Sequence, residues 1–195
     1  MQKKSFLFVF TAIAMVFVLT GCGNKDTSNK TNDSSAKVEE SQKIKGNCDV
    51  FECIQKVESD NTLEDINNLV GFEGEKGSEG SGWTTYNWEI TEDTSLSVTF
   101  YESSSTCGAK IEFDNDLIKN KKVDFSKYDE VKSALQNGET VTYDDLKEKF
   151  GGVDGTLVET SSVSKSYKWV NSEGGYLTAN VSGQNQRCTM IMGRF

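Results

Sequence analysis

Histidine is absent from all 195 residues, and its absence removes several chemistries together. Ser–His and Cys–His nucleophile pairs, histidine-containing zinc sites and imidazole acid–base catalysis all need a ring this chain lacks. A carboxylate pair or a serine–lysine mechanism remains open in principle. Ser162-Val163-Ser164-Lys165 fits Ser-x-x-Lys, and Ser59-Asp60-Asn61 fits the Ser-Asp-Asn motif that accompanies it in acyl transfer. The order is reversed, however, Lys-Thr-Gly is missing, and Ser34 and Lys37 match Ser-x-x-Lys equally well. The glycine-rich stretch from Gly71 to Gly82 has no Gly-Lys-(Ser/Thr) and reads as a mobile loop, not a phosphate cradle. Asp114-Asn115-Asp116 offers oxygens suited to calcium but lacks the glycine and closing glutamate of an EF-hand, so it reads as a solvated turn. The residue types point away from catalysis, and neither a metal nor a cofactor is expected.

Cysteine chemistry is more informative. Met1-Gln2-Lys3-Lys4 precedes a run without charge from Ser5 to Leu19, followed by Leu19-Thr20-Gly21-Cys22. A basic start, a short apolar run and small residues before a cut describe an export signal. Leu-Thr-Gly-Cys resembles the lipobox of bacterial lipoprotein signal peptides. That resemblance implies cleavage before Cys22 and a diacylglycerol on its thiol, and two acyl chains hold a protein on a bilayer where one holds it marginally. The expected location is the extracytoplasmic face of the cell membrane.

Losing residues 1–21 takes away Lys3 and Lys4 and no acid, so the net charge of −9 becomes −11. An acidic chain repels nucleic acid, and the short cluster Lys119-Asn120-Lys121-Lys122 does not overturn that. No nucleic-acid partner is expected. After Cys22, residues 23–45 are almost all small, polar or charged and should form a disordered tether reaching about 25–30 Å. The domain plan is therefore a signal peptide over 1–21, lipidated Cys22 and tether over 22–45, and a folded part over 46–195.

Internal repetition organises the folded part. Asn61-Thr62-Leu63-Glu64-Asp65-Ile66 and the residues to Gly71 match Val141-Thr142-Tyr143-Asp144-Asp145-Leu146 and the residues to Gly151 at a constant shift. One residue later in the shift, Tyr86 and Trp88 fall on Tyr167 and Trp169, Leu96 on Leu177, and Cys107 on Cys188. The repeats are placed at 46–120 and 121–195. In each, threonine with an aspartate three residues on is a helix N-cap, and the glycine marks the helix end. An earlier amphipathic stretch carries Val50, Phe51, Ile54 and Val57 in one repeat and Tyr128, Val131 and Leu135 in the other. The period then changes to two. Tyr86, Trp88, Ile90; Leu96, Val98, Phe100; and Cys107, Ala109, Ile111, Phe113 line one face, as do Tyr167, Trp169; Leu177, Ala179, Val181; and Cys188, Met190, Met192.

The expected fold class is α+β, two tandem helix–helix–antiparallel-sheet repeats. With its "Thr-x-x-(Asp/Glu)…Gly" helix and "Tyr-x-Trp" strand, the unit resembles the β-lactamase-inhibitory-protein-like fold, and the lipoproteins of low-GC Gram-positive bacteria built on it. In the inhibitor each repeat has its own disulfide and a hairpin plugs an enzyme's active site. Neither repeat here has two cysteines in its sheet region, so the resemblance carries the fold and not the inhibitory residues.

Cys48, Cys53, Cys107 and Cys188 form an even set outside the cytoplasm, which suggests two disulfides with three possible connectivities. Cys48–Cys53 requires Cys48 to sit in a turn before the helix, because five helical residues rise about 7.5 Å. Cys107 and Cys188 could bridge, or remain small buried free thiols. For function, a non-catalytic protein-binding module is expected, inhibitor- or adaptor-like, docking an unidentified protein or envelope partner through the polar sheet face. Its residues are Thr85, Asn87, Glu89, Ser97, Thr99 and Tyr101 in the first repeat and Lys168, Thr178, Asn180 and Ser182 in the second, with Tyr101 the one large anchor. The alternatives are a structural envelope-assembly lipoprotein and an enzyme with a carboxylate site.

Overall fold

The computed structural model describes residues 43–195. The expected signal peptide over 1–21, the expected lipidation residue Cys22 and the expected tether as far as residue 42 lie outside the described residues.

Two short helices open the folded part. Asp49 accepts the Glu52 N–H at 2.9 Å and starts α1 (Val50–Lys56). Thr62 and Asp65 form a capping box ahead of α2 (Leu63–Val70): Asp65 accepts the Thr62 N–H at 2.8 Å and Thr62 Oγ1 accepts the Asp65 N–H at 3.2 Å. Four strands follow: β1 (Glu75–Gly80), β2 (Trp83–Thr91), β3 (Thr94–Tyr101) and β4 (Thr106–Glu112). A 3-10 turn over Asn115–Ile118, capped by Asp114, leads to the two-residue β5 (Lys119–Asn120). Then come α3 (Tyr128–Gln136), α4 (Tyr143–Lys149), β6 (Thr156–Thr160), β7 (Ser164–Asn171), β8 (Tyr176–Ser182) and β9 (Cys188–Arg194). Thr142 and Asp145 repeat the capping box with the same 2.8 and 3.2 Å bonds. In both boxes these bonds, the backbone one foremost, hold the aspartate below its ordinary pKa. Gly71 and Gly151 are both left-handed, with φ of 94° and 99°.

The expected class, two tandem helix–helix–sheet repeats, is corrected here. One nine-stranded sheet dominates, in the order β1-β2-β3-β4-β6-β7-β8-β9, and the four helices among the described residues are seven to nine residues long. Every strand pair is antiparallel except β5, which runs parallel to β7 at Val170 and Asn171. The join is β4 to β6, through Ala109 opposite Thr160 and Lys110 opposite Glu159. Separate sheets would each present an unpaired row of backbone groups at this place, and pairing the rows removes both edges.

All four helices cover one face. Against the first half of the sheet, α1 and α2 supply Val50, Ile54, Ile66 and Val70 to a core containing Trp88, Ile90, Leu96 and Val98. Over the second half, Val131, Leu146 and Phe150 pack with Trp169, Leu177, Ala179 and Val181. Trp88 and Trp169 are 0% and 1% exposed, as their strand phase requires. The remaining face bears no helix.

Three local expectations also change. Residues 75–80, read as loop, are strand β1; Gly77 and Gly80 carry no side chain and every position is exposed, so no alternation marked it. Met190 and Met192, placed with the inward apolar set, are 42% and 57% exposed. The cause is a register shift: Asn180 lies opposite Met190 but Val181 opposite Cys188, so Thr189 is the extra residue of a bulge and Ile191 turns inward instead.

The third change concerns only the second disulfide, for the first bridge forms with Cys48 ahead of the helix as its spacing requires. Cys48 precedes α1 in a bend and bonds Cys53, with Cα atoms 5.6 Å apart. Cys107 and Cys188 are free and buried, so the second disulfide is absent. They sit on β4 and β9, four strand steps apart in the sheet, about 19 Å at the usual spacing and far beyond bridging range. Burial pushes both thiols above their ordinary pKa. Replacing Cys48 and Cys53 together by serine should lower folding stability by about 2 kcal/mol, since the bridge closes only a short loop. A urea midpoint unchanged by the double substitution would contradict this.

Candidate functional site

Register decides which side chains share the uncovered face. On β2 and β3, Thr85 lies opposite Thr99, Asn87 opposite Ser97, Glu89 opposite Ser95 and Trp83 opposite Tyr101. On β7 and β8, Lys168 faces Thr178, Ser166 faces Asn180 and Ser164 faces Ser182. The two sets are linked in phase through Ser97–Lys110, Lys110–Glu159 and Glu159–Ser166. Directly opposed residues point to the same side of a sheet. Thr85, Asn87, Glu89, Ser97, Thr99, Tyr101, Lys168, Thr178, Asn180 and Ser182 therefore all stand on one face of one sheet.

Four of these ten are bonded in pairs across the strands, and Asn180 is bonded to neighbouring Ser166. The Thr85 and Thr99 hydroxyls are 2.8 Å apart, Ser97 Oγ donates to Asn87 Oδ1 at 2.7 Å, and Ser166 Oγ donates to Asn180 Oδ1 at 2.8 Å. Such cross-strand bonds hold the rotamers and leave a stiff surface. Of the ten, Glu89 and Tyr101 are exposed and the rest half-buried.

Strands between the two sets add residues the sequence reading did not select. Around the β4–β6 join a hollow of about 430 Å³ is lined by Lys110, Phe113, Glu159, Lys168, Thr178 and Met192, among others. The Lys168 ammonium lies 5.6 Å from the Phe113 ring centre and 4.8 Å from that of Tyr176. Burial holds its pKa below the ordinary lysine value. Lys110 and Glu112 were legible by alternation with Ala109 and Ile111. Glu159 was not, because a bulge between Leu157 and Glu159 breaks the period of β6.

At the β2–β3 end the face is acidic. A second hollow of about 590 Å³ gathers Glu73, Glu75, Glu89 and Glu112 beside Asn87 and Ser97, with Lys45 as its cation. Lys45 approaches Glu89 at 3.9 Å and Lys110 approaches Glu112 at 3.8 Å. Both pairs are exposed, where such contacts stabilise little and remain free to exchange for a partner's charges.

The motifs set aside earlier lie elsewhere. Ser162 is exposed in the turn between β6 and β7, and Ser59-Asp60-Asn61 forms the connection between α1 and α2. Among the described residues no group of three His, Cys, Asp or Glu side chains is placed to hold a metal ion. No helix among them is long and apolar enough to cross a membrane. No protein family matches the chain, and neither a curated protein nor a solved structure matches it.

Proposed function

We propose that the chain is a lipid-anchored extracytoplasmic lipoprotein that binds a partner protein through the uncovered face of its sheet, without catalysis. The supporting observation is the stiff polar face shared by both halves, with its acidic end at Glu89 and Glu112 and an exposed aromatic at Tyr101. Three cross-strand hydrogen bonds on this face lower the ordering cost of binding. Its acids favour a partner that presents cations, because complementary charge speeds encounter and fixes orientation. Cys22, with lipid attached, would hold this face outside the membrane, and the tether would give it reach.

The test is site-specific photo-crosslinking in the host. A photoreactive phenylalanine at Tyr101 or Thr178 should give the same discrete adduct, while one at exposed Glu148 on α4 should give none. Glu89→Lys with Glu112→Lys should weaken that adduct. Equal adducts from all three positions would show that the sheet face has no special role.

A further inference from the structure

The helix-covered side of the sheet has a gap of its own. Over β6 and β7, between the two helix pairs, lies a cleft of about 600 Å³. One wall is α1, through Phe51 and Gln55; the other is Tyr143 at the start of α4; Leu157, Lys165 and Tyr167 line it from the strands. Leu157 packs with the first core and Tyr167 with the second, so the cleft follows the seam between them.

Lys165 is the unusual member. It lies opposite Thr160 and Val181, both buried, which places its side chain on the helix side of the sheet. No carboxylate among the described residues forms an ion pair with it. The one acid on the lining, Asp154, is already engaged: Lys147 Nζ donates to its Oδ2 at 2.9 Å and Tyr143 Oη donates to its Oδ1 at 3.3 Å. Tyr143 is fixed in turn, because its Oη accepts the Gly155 N–H at 3.1 Å and its ring lies 4.4 Å from that of Tyr167. Burial and the nearby Asp154 push the Tyr143 hydroxyl up to about 12, so it stays a neutral donor. A half-buried lysine without a counter-charge, beside fixed rings and an apolar wall, is a recognition pattern for an anion with an apolar body.

We propose that this cleft binds a small organic anion, its carboxylate paired with the Lys165 ammonium and its aromatic or branched body lying against Tyr167, Tyr143 and Phe51. The site is separate from the polar sheet face, and it stands or falls independently of the partner proposed for that face.

Phenylacetate is the probe, with 2-phenylethanol as its neutral counterpart, titrated calorimetrically into the full chain. Phenylacetate should saturate one site, and 2-phenylethanol should bind at least about tenfold more weakly, the loss expected when a charge-assisted hydrogen bond is removed. Lys165→Gln should weaken phenylacetate by a similar factor, Lys165→Arg should largely restore it, and Lys168→Gln on the opposite face should leave it unchanged. Circular dichroism on each variant separates lost binding from lost folding. Equal affinity for acid and alcohol, undiminished binding by Lys165→Gln, equal weakening by Lys168→Gln, or no saturation at all would each overturn the proposal.

Discussion

Trp169→Ala should cost about 3–5 kcal/mol of folding stability, a large share of the roughly 5–15 kcal/mol that is usual for a folded protein. The ring is 1% exposed, contacts Phe150 at 5.8 Å between ring centres, and donates its Nε1–H to Val153 O at 2.9 Å. Alanine would leave a large cavity and an unpaired carbonyl together. Gly155 already lies so near that a Cβ there would stand 2.6 Å from the ring. Trp88→Ala should behave alike, since Trp88 Nε1 reaches both Asn67 Oδ1 and Phe72 O at 3.1 Å, and a Cβ on Gly74 would meet its ring at 2.4 Å. Chemical denaturation followed by circular dichroism measures both. A loss under about 1 kcal/mol at either position would mean that the ring is not core.

The second large effect is on location. Cys22→Ala should either release the chain from the membrane fraction or leave it accumulated as the longer uncleaved form. Each buried acyl methylene contributes roughly 0.8 kcal/mol, so two chains bind a bilayer far more strongly than any surface charge on this acidic protein. Fractionation of host cells with an antibody against the folded part distinguishes the outcomes. A processed mutant that still sediments with membranes would end the lipoprotein reading.

Local structure was legible wherever a side chain answered to its own neighbours. The boxes at Thr62 and Thr142, the left-handed glycines at 71 and 151 and the inward tryptophans each depend on a few adjacent residues, and each stands where its spacing put it. What the sequence concealed depends on partners far along the chain. Nothing near Ala109 or Thr160 announces that β4 pairs with β6, and the reading as two helix–helix–sheet repeats gave the four short helices a weight that one dominant sheet does not leave them. Bulges did similar damage: one extra residue at Thr189 moved Met190 and Met192 to the open face. The outward polar set survived because its strands, β2, β3, β7 and β8, keep an unbroken alternation through those positions. Lys165 was noticed only as part of a serine–lysine motif. Its uncompensated charge became visible when the two helix pairs were seen to leave a gap above it.

Strand β1 has a bearing on how copies of this protein behave beside each other. It ends the sheet, every one of its residues is exposed, and its register with β2 slips between Lys76 and Glu79, whose side chains form an ion pair. A bare, straight edge would invite a neighbouring chain to add its own strand. The slip and the charges spoil that template. Crowding should therefore leave this border of the sheet unextended.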